Sequence, residues 1–596
     1  MCGIFGVFGT STFAGNQQFS LQHRGPDSHG LWTSPDGYCQ LGHTRLAIQD
    51  LSEAGNQPIT SHCGRFTLVY NGEIYNHLSL RNSLRFQNWR GSSDSETLVE
   101  GIAERGPLFL LEIRGMFAFA AYDSLKQQML LTRDRLGIKP LYTLSVASSL
   151  YFSSERRLLT DKLDFQPADF ASFLAWGHMS TPATFSAPMG VSQSFPSGSI
   201  VRLNIDRPHH FVRYWPSQPR PNWTPLPIYS YTRAQRFLRD QLFEAVEQHL
   251  ISDVPIASFL SSGLDSGILT ALASTICKGQ ISSFTVTFPG QPEDESCLAR
   301  TMARHCNTHH HEFHLTDDLV FDWIESALSS LDVPTVDGLN TYLVSRCASL
   351  QGFRVAISGL GADELFGGYP AHRFVPMLRL LTFLPEFLRS KLLQIPFLPS
   401  LGKLHNVPQW NDWYLTLALR RWFSDSDLQA AGLPPLSWPE PPPSRITQQW
   451  GRISYAELFS YTEPMLLRDS DVMSMASSLE LRVPFLDHRI VELALRMPQR
   501  FQRCGKHLLR DTFSDLFPTD YLHQPKRGFS LPMSSWMHGP LRGLCTVRLQ
   551  HLKDSRLLRP QWVDTQWKLF LAGHLHWTRI WSLIVLGEFF LRGGQE

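Results

Sequence analysis

From residue 254 to residue 266 the chain reads VPIASFLSSGLDS, and this stretch decides how the larger part of the protein folds. Its apolar run, 254–260, ends in a turn of small residues, after which 267–276 has a helical pattern. Two further apolar runs, at 283–288 and 354–358, are separated from it by helical segments. Strands that alternate with helices predict a parallel, doubly wound α/β sheet, and 596 residues are too many for a single core.

The amino-terminal part of the chain has a different pattern. Short β-type runs broken by Gly, Asn and Asp lie at 3–8, 66–70, 116–122 and 128–132, which predicts a sheet-rich domain. Prolines then crowd the next stretch, and proline neither donates to a sheet nor continues a helix. We therefore expect an α/β multidomain protein with a domain over 1–205, a proline-rich linker over 206–234 and a second domain over 235–596.

Composition disfavours several classes of protein. The chain has 54 Lys and Arg against 53 Asp and Glu, a net charge of +1, which argues against nucleic acid as a partner. Its nine cysteines form no C-x-x-C pair, which is typical of a protein in the reducing cytoplasm. The amino terminus lacks the pattern of a signal peptide, and the apolar stretches at 374–401 and 581–591 carry charges. We expect both stretches to be buried helices of a soluble protein that has no membrane partner.

Cys2 is the first candidate catalytic residue, because it becomes the amino-terminal residue if Met1 is removed. An α-amino group, with an unperturbed pKa of about 7.7–8.0, can then take the proton of the thiol on the same residue, and no histidine is needed. The alternative is an ordinary buried thiol, and the position of Cys2 alone favours that alternative. The surrounding residues favour the catalytic interpretation.

Those surrounding residues suit an α-amino-acid amide as substrate. Such a molecule needs a cation for its carboxylate, an anion for its ammonium group and neutral donors for the oxyanion. The sequence offers Arg45 as the cation, and Glu73 with Asp94 as the anions. Asn71 and Gly72 supply the neutral donors. For Arg45 and Asp94, an ordinary surface pair is the alternative.

These residues belong to four motifs: His23-Arg24-Gly25-Pro26-Asp27, Arg45-Leu46-Ala47-Ile48, Asn71-Gly72-Glu73-Ile74-Tyr75-Asn76 and Ser93-Asp94-Ser95-Glu96. With Cys2 they make residues 2–205 resemble a class II glutamine amidotransferase domain of the amino-terminal-nucleophile hydrolase type. The resemblance implies an αββα sandwich, Cys2 as the nucleophile, and Asn71 with Gly72 as the oxyanion hole. It also implies a set of glutamine-binding residues: Arg45, Leu46, Ile48, Asn71, Gly72, Glu73 and Asp94.

The loop 261–266 is the candidate nucleotide site. A strand, a turn of small residues and a helix amino terminus bind anions well, because unpaired backbone N–H groups and the helix dipole point at the ligand. The loop resembles the pyrophosphate-binding loop of ATP pyrophosphatases, which release AMP and pyrophosphate, although that family usually has glycine where Ser262 stands. A plain strand-to-helix turn is the alternative.

A second strand end, 354–358, runs into Gly359-Leu360-Gly361-Ala362-Asp363-Glu364. In an open α/β sheet, ligands bind beyond the carboxyl ends of the strands, so Asp265 and Asp363 are expected on the same side. Two carboxylates there can hold a Mg²⁺ ion that bridges nucleotide phosphates. Helix N-capping by each Asp is an alternative, and it is compatible with this role.

Three later motifs are Leu466-Leu467-Arg468-Asp469-Ser470-Asp471, Glu480-Leu481-Arg482-Val483-Pro484-Phe485-Leu486-Asp487 and Lys526-Arg527-Gly528-Phe529. In this order they make 235–540 resemble the synthetase domain of glutamine-hydrolysing asparagine synthetases and their relatives. The resemblance implies that ATP is contacted by Leu260, Val286, Ser358 and Gly359, in addition to the loop residues Ser261, Gly263, Asp265, Ser266 and Asp363. It also implies that Lys526 neutralises charge that develops during adenylation or amide formation, with a solvated basic loop as the alternative.

The two resemblances together imply a reaction between small molecules. Cys2 would hydrolyse glutamine, and the ammonia would amidate an acyl-adenylate of aspartate, which yields asparagine, glutamate, AMP and pyrophosphate. A dry passage between the domains is expected to carry the ammonia, because ammonium is not nucleophilic. A homodimer is one candidate assembly.

Leu360 bears on the identity of the acceptor. Many asparagine synthetases carry Glu at this position and relatives that close β-lactam rings carry Tyr, whereas Leu is neither an acid nor a base. The same chemistry on another carboxylate, in secondary-metabolite or envelope biosynthesis, is therefore an alternative. A non-catalytic nucleotide-binding module is disfavoured, because the expected reactive residues are present.

Overall fold

The computed structural model describes residues 2–13, 17–160, 165–179, 190–204, 210–215, 223–288, 290–291, 293–393, 403–519, 521–523 and 531–593. The amino-terminal strands are β1 (Gly3–Phe8), β2 (Ser28–Thr33), β3 (Cys39–Arg45), β4 (Ile59–Thr60), β5 (Phe66–Ile74), β6 (Gly115–Asp123), β7 (Gln128–Arg133), β8 (Tyr142–Val146), β9 (Ser149–Ser153), β10 (Ser192–Ser194), β11 (Ser199–Asn204) and β12 (His210–Arg213). The accompanying helices are α1 (His77–Ser83), α2 (Asp94–Arg105) and α3 (Pro167–Trp176). All four β-type runs predicted from the sequence are strands.

The amino-terminal strands form two antiparallel six-stranded sheets, in the orders β10-β8-β9-β1-β3-β2 and β12-β11-β7-β6-β5-β4. Apolar side chains of both sheets meet in one core, which includes Ile4 of β1, Leu41 of β3 and Val69 of β5. The strand β6 is buried on both faces, because α2 and its neighbours cover the outer side of the second sheet. The short helical segment Gln17–Arg24 packs on β1 and β3 at the outer face of the first sheet, which confirms the predicted αββα sandwich. The edge strand β12 lies within the predicted linker 206–234.

The second half begins as the repeating pattern of strand and helix predicts. Its first elements are α4 (Tyr231–His249), β13 (Ile256–Phe259), α5 (Leu264–Ile276), β14 (Ser282–Thr287), α6 (Ser296–His305), β15 (His309–His314), α7 (Asp317–Ser330), α8 (Leu339–Leu350), β16 (Val355–Ile357) and α9 (Ala362–Phe366). With β17 (Glu480–Arg482) the strands form a parallel sheet in the order β15-β14-β13-β16-β17. The predicted doubly wound sheet is confirmed, and the strand order reverses between β13 and β16, where α/β proteins bind ligands.

Helices surround this sheet and complete the chain: α10 (Ala371–Leu380), α11 (Glu386–Leu393), α12 (Asp412–Arg420), α13 (Asp425–Ala431), α14 (Gln449–Glu457), α15 (Arg468–Met475), α16 (His488–Arg496), α17 (His507–Phe513), α18 (Met533–His538), α19 (Arg542–Asp554), α20 (Pro560–Leu571) and α21 (Trp577–Gly593). A π-helical stretch, Leu458–Leu467, joins α14 to α15. It contains Pro464, which has no N–H to donate to an α-helical ladder.

The two apolar stretches differ in their burial. The prediction of a buried helix at 581–591 is confirmed, since α21 packs its apolar side chains into the core. The prediction of a buried helix at 374–401 is wrong for the described residues, up to 393. Its helix α10 packs against α12 and α14 through one side only, and the other side faces solvent. No helix in the described part of the chain combines the length and apolar character needed to cross a bilayer.

Candidate active sites

The predicted nucleophile and oxyanion donor lie together between the two amino-terminal sheets. Cys2 precedes β1, and its backbone nitrogen donates to Asn71 Oδ1 on β5 over 3.1 Å. The other amide atom, Asn71 Nδ2, is buried and has no hydrogen-bond partner among the described residues. Leaving a buried donor unpaired costs about 1–3 kcal/mol, so a ligand oxygen at this point would be stabilised.

Burial raises the pKa of the Cys2 thiol, although the Leu46 backbone N–H and the Arg45 guanidinium favour the thiolate. The side chain is only 9% exposed. A neutral thiol is a weak nucleophile, so Cys2 needs a base. Its own nitrogen becomes an amine, able to act as that base, only after Met1 is removed.

Gly72 follows Asn71 on β5 and pairs with Phe117 of β6. A Cβ atom on Gly72 would lie 2.2 Å from the Met116 carbonyl oxygen. Close approach of the neighbouring strand therefore requires glycine here.

The two predicted anions are held differently. Asp94 begins α2, and its Oδ2 accepts hydrogen bonds from the Tyr70 hydroxyl and the Ile74 N–H, each over 2.8 Å. Burial raises the pKa of Asp94, and these hydrogen bonds oppose the shift. Glu73 contacts Gln49 and forms an ion pair with Arg482, with 3.0 Å between Oε2 and the guanidinium.

Arg45, the predicted cation, is oriented by the loop that follows it. Its guanidinium donates to the Ser52 carbonyl oxygen over 2.8 Å and to Asn56 Oδ1 over 2.9 Å. Its neighbours Leu46 and Ile48 are buried and pack against Val355 of β16 and Met475 of α15. Of the seven predicted glutamine-binding residues, Asn71, Leu46 and Arg45 interact with Cys2. Leu46, Ile48 and Glu73 contact the second half of the chain.

Arg482, to which the sequence alone assigns no role, connects the two halves of the chain. Besides Glu73, its guanidinium binds Glu480 Oε1 over 2.6 Å. Its carbonyl oxygen accepts from the N–H of Ser358, a predicted ATP contact, over 2.9 Å. Burial raises the pKa of Glu480, but cations that include Arg482 and Lys139 outweigh burial and bring it to about 2. The only signal in the sequence was a charged pair, Glu480 and Arg482, within the mainly apolar segment 479–486.

Arg24 is a second connecting residue that sequence reasoning left without a role. It is fully buried, and its guanidinium contacts Glu155 over 3.1 Å and Asp471 of α15 over 2.6 Å. Its Nε also donates to the Cys2 carbonyl oxygen over 3.2 Å. The turn around Arg24 therefore fixes the start of β1 against the second half of the chain.

We expect Arg482→Met to lower the free energy of unfolding by about 3–5 kcal/mol, because the buried Glu73 loses its ion pair and the buried Glu480 loses one of the cations beside it. Arg105→Met is the control, since its exposed pair with Glu112 should contribute less than about 1 kcal/mol. Urea unfolding of both variants measures the difference. Equal losses in the two variants would contradict the connecting role of Arg482.

The loop after β13 is organised around its own serines. The Ser261 N–H donates to Ser266 Oγ over 3.1 Å, and the Gly263 N–H donates to Ser261 Oγ over 3.1 Å. The Ser262 N–H donates to Glu295 Oε2 over 3.1 Å. Gly263 is the N-cap of α5 and has no side chain to bind the first-turn N–H groups. Those groups lie beyond the carboxyl end of β13, where an anion site is expected.

The other predicted ATP contacts lie around this loop. The Leu260 N–H donates to the Phe284 carbonyl oxygen of β14 over 2.9 Å, and Val286 is buried on the same strand. Gly359 follows β16, and a Cβ there would lie 3.0 Å from the Cβ of Asp265. The loops after β13 and β16 are therefore in contact, as the sheet topology predicts.

Lys506 lies between the two predicted metal ligands, and sequence reasoning missed it. Its Nζ is 2.7 Å from Asp363 Oδ1 and also forms an ion pair with Asp265. Burial lowers the pKa of Lys506, but the two carboxylates outweigh burial and raise it. The carboxyl oxygens thus converge on one cationic centre, and oxygen donors of this kind suit Mg²⁺. In the described part of the chain no group of three or more His, Cys, Asp or Glu could hold a metal, so phosphate oxygens would have to complete the shell.

Lys526 and Leu360 are the two predicted residues that bear on the acceptor half of the reaction. Lys526 lies outside the described residues. Leu360 is half-buried between the two loop glycines and packs against apolar side chains of the core.

An αββα sandwich with its cysteine site, joined to a parallel sheet with a nucleotide-type loop, defines a class: a fused glutaminase and synthetase, that is, a glutamine-dependent amidotransferase. Residues 1–215 match the family model for the glutamine amidotransferase domain. Residues 237–590 match the family model for asparagine synthase. The chain belongs to the asparagine synthase family, whose members use ATP as a substrate.

Curated relatives are similar over most of their length. A putative glutamine-hydrolysing asparagine synthetase of Mycobacterium tuberculosis is 30% identical over 87% of this chain and 83% of its own. Glutamine-hydrolysing asparagine synthetase 1 of Bacillus subtilis is 27% identical over 90% and 88%. Asparagine synthetase B of Escherichia coli is 29% identical over 94% and 86%.

Proposed function

We propose that this protein makes asparagine from aspartate, glutamine and ATP, with the glutaminase in 1–205 and the synthetase in 235–596. The observation that carries the proposal is Asn71 Nδ2, which is buried beside Cys2 and has no partner among the described residues. In the second half of the same chain, Asp265 and Asp363 lie close together around Lys506. Aspartate as the acceptor is supported by the names of the relatives.

In the first half-reaction the Cys2 thiolate attacks the side-chain amide carbon of glutamine. Asn71 Nδ2 and the Gly72 N–H stabilise the oxyanion, the carbon–nitrogen bond breaks, and ammonia leaves with the proton taken from the thiol. Water then cleaves the thioester and releases glutamate. Arg45 binds the α-carboxylate of glutamine, while Asp94 and Glu73 bind its ammonium group.

In the second half-reaction an oxygen of the acceptor carboxylate attacks the α-phosphorus of ATP, and pyrophosphate leaves. Ammonia then attacks the acyl carbon, and AMP leaves with the electrons of the carbon–oxygen bond. The N–H groups at the start of α5 bind phosphate oxygens, and Lys506 moves from the carboxylates to the departing pyrophosphate. Asp265 and Asp363 would hold Mg²⁺, which neutralises phosphate charge when bound. Lys526 neutralises the charge that develops at the reacting centre.

The ammonia passage is proposed to run beside the apolar cluster of Leu46, Ile48, Val355 and Met475. This cluster touches Cys2 through Leu46 and extends to the start of β16, whose far end carries Ser358. The three residues of β16 span about 10 Å, and they form the last part of this path. Apolar walls keep ammonia neutral and therefore nucleophilic.

The proposed place of action is the cytoplasm. All nine cysteines are free thiols, which supports a reducing compartment. A homodimer is the proposed assembly, and sedimentation velocity would measure the oligomeric state.

The acceptor is tested with glutamine labelled with ¹⁵N in its amide. With ATP and aspartate, we expect ¹⁵N-asparagine and AMP in equal amounts, and no AMP when aspartate is left out. Mass spectrometry of the amino acids and chromatography of the nucleotides measure both products. AMP formation with another carboxylate, but not with aspartate, would contradict aspartate as the acceptor. It would support the alternative substrate that Leu360 suggests.

A further inference from the structure

The helices α10 and α11, and the 3₁₀ turn Leu381–Phe383 between them, expose large apolar side chains that have no role in the proposed reaction. Six such residues fall within one short segment: Phe374, Met377, Leu380, Phe383, Phe387 and Leu388, here called the 374–388 surface. Phe383 is 85% exposed, more than any other described phenylalanine, and Leu380 is 64% exposed. Exposed apolar residues at this density mark an interaction surface.

The 374–388 surface follows the period of a helix. Met377 and Leu380 lie on the side of α10 opposite to the buried Ala371 and Val375, and Phe374 lies at the border between the two sides. The buried side anchors α10 on α12 and α14, so the exposed side is presented by a fixed element.

Basic residues flank the apolar side chains. Arg373 and Lys391 are exposed at the two ends, and Arg379 is half-exposed and forms an ion pair with Asp412 over 3.2 Å. Arg389 stacks on Trp410, with 4.6 Å from its Cζ to the ring centroid. From α10 to α11 the chain carries these four cations and one acid, Glu386. Aromatic and aliphatic residues bordered by Arg and Lys are the composition of helices that lie in the headgroup region of anionic membranes.

This charge disfavours a second copy of the chain as the occupant. In a two-fold dimer the same patch meets itself, so the cations of one copy would approach those of the other. A surface of anionic phospholipid instead offers complementary charge together with an apolar layer beneath it. We infer that the 374–388 surface docks the protein peripherally on an anionic lipid surface.

The test uses the full chain and vesicles of phosphatidylcholine with and without phosphatidylglycerol. We expect the protein to sediment with the vesicles that contain phosphatidylglycerol and to be released at high salt, since the Debye length falls to about 3 Å at 1 M. Phe383→Ser/Phe387→Ser should weaken this partition at least about tenfold. Arg373→Ser/Lys391→Ser should remove the preference for phosphatidylglycerol.

The matched control is Leu108→Ser/Leu125→Ser, which changes residues that are 70% and 75% exposed in the other half of the chain. It should bind vesicles as the unmodified protein does, and every variant should keep its glutaminase rate. Equal binding to both vesicle types, or equal loss in the control, overturns the inference. A dimer that Phe383→Ser/Phe387→Ser dissociates, without vesicle binding, would assign the surface to a second copy.

Discussion

Cys2→Ser is expected to reduce glutamine-dependent amide synthesis by at least about 1,000-fold while synthesis from added ammonia continues. Serine has nearly the same shape, but its hydroxyl is a far weaker nucleophile than a thiolate. Among the described residues, the interactions of Cys2 do not include the loops after β13 and β16, so adenylation should proceed as before. Glutamate release, and product formation with glutamine or with ammonium chloride, measure the two activities separately.

Cys63→Ser is the matched control, because Cys63 is an exposed thiol in the same domain. It should leave both activities within about twofold of the unmodified protein. Intact-mass measurement of the active protein should show that Met1 is absent. Full glutaminase activity in a chain that retains Met1 would contradict the role of the Cys2 amine.

Lys506→Met is expected to reduce acceptor-dependent pyrophosphate release by about 100-fold or more, with glutaminase activity retained. Methionine has a similar length but no charge, so Asp265 and Asp363 would face each other without their shared cation. The departing pyrophosphate would also lose a positive contact. A coupled assay for pyrophosphate measures the loss, and glutamate release serves as the internal control.

Lys553→Met, which removes an exposed pair with Asp564, is the control and should keep both activities. A purely structural role for Lys506 predicts a lower melting temperature with normal pyrophosphate release in the folded protein. Asp363→Asn is a second test of the structural role against the role in adenylation, because asparagine has nearly the volume of aspartate but no charge. Normal adenylation in both Lys506→Met and Asp363→Asn would contradict the assignment of this site.

Local patterns were sufficient where function depends on a short segment. The runs at 3–8 and 128–132 predicted β1 and β7, because short apolar or alternating segments favour strands through their local pattern alone. The loop 261–266 and the segment after 354–358 were predicted to meet, because parallel strands of one sheet end on the same side. The contact of Gly359 with Asp265 agrees with that prediction.

The exposure of the 374–388 surface could not be predicted. Its apolar period is that of a core helix, and only the position of α12 and α14 decides that a single side of α10 is covered. Lys506 was missed for a related reason. Lys506 lies 241 residues from Asp265 along the chain, and the sequence around position 506 does not indicate which carboxylates contact it.

By itself the sequence determined the two kinds of domain, the cysteine and loop motifs and the expected ligands, since each depends on the order of neighbouring residues. Only the tertiary structure decided the pairing of Glu73 with Arg482, the position of Lys506 between two carboxylates and the exposure of Phe383. These features join or separate residues that are distant along the chain. Their energies depend on distance and burial, which exist only once the elements have packed.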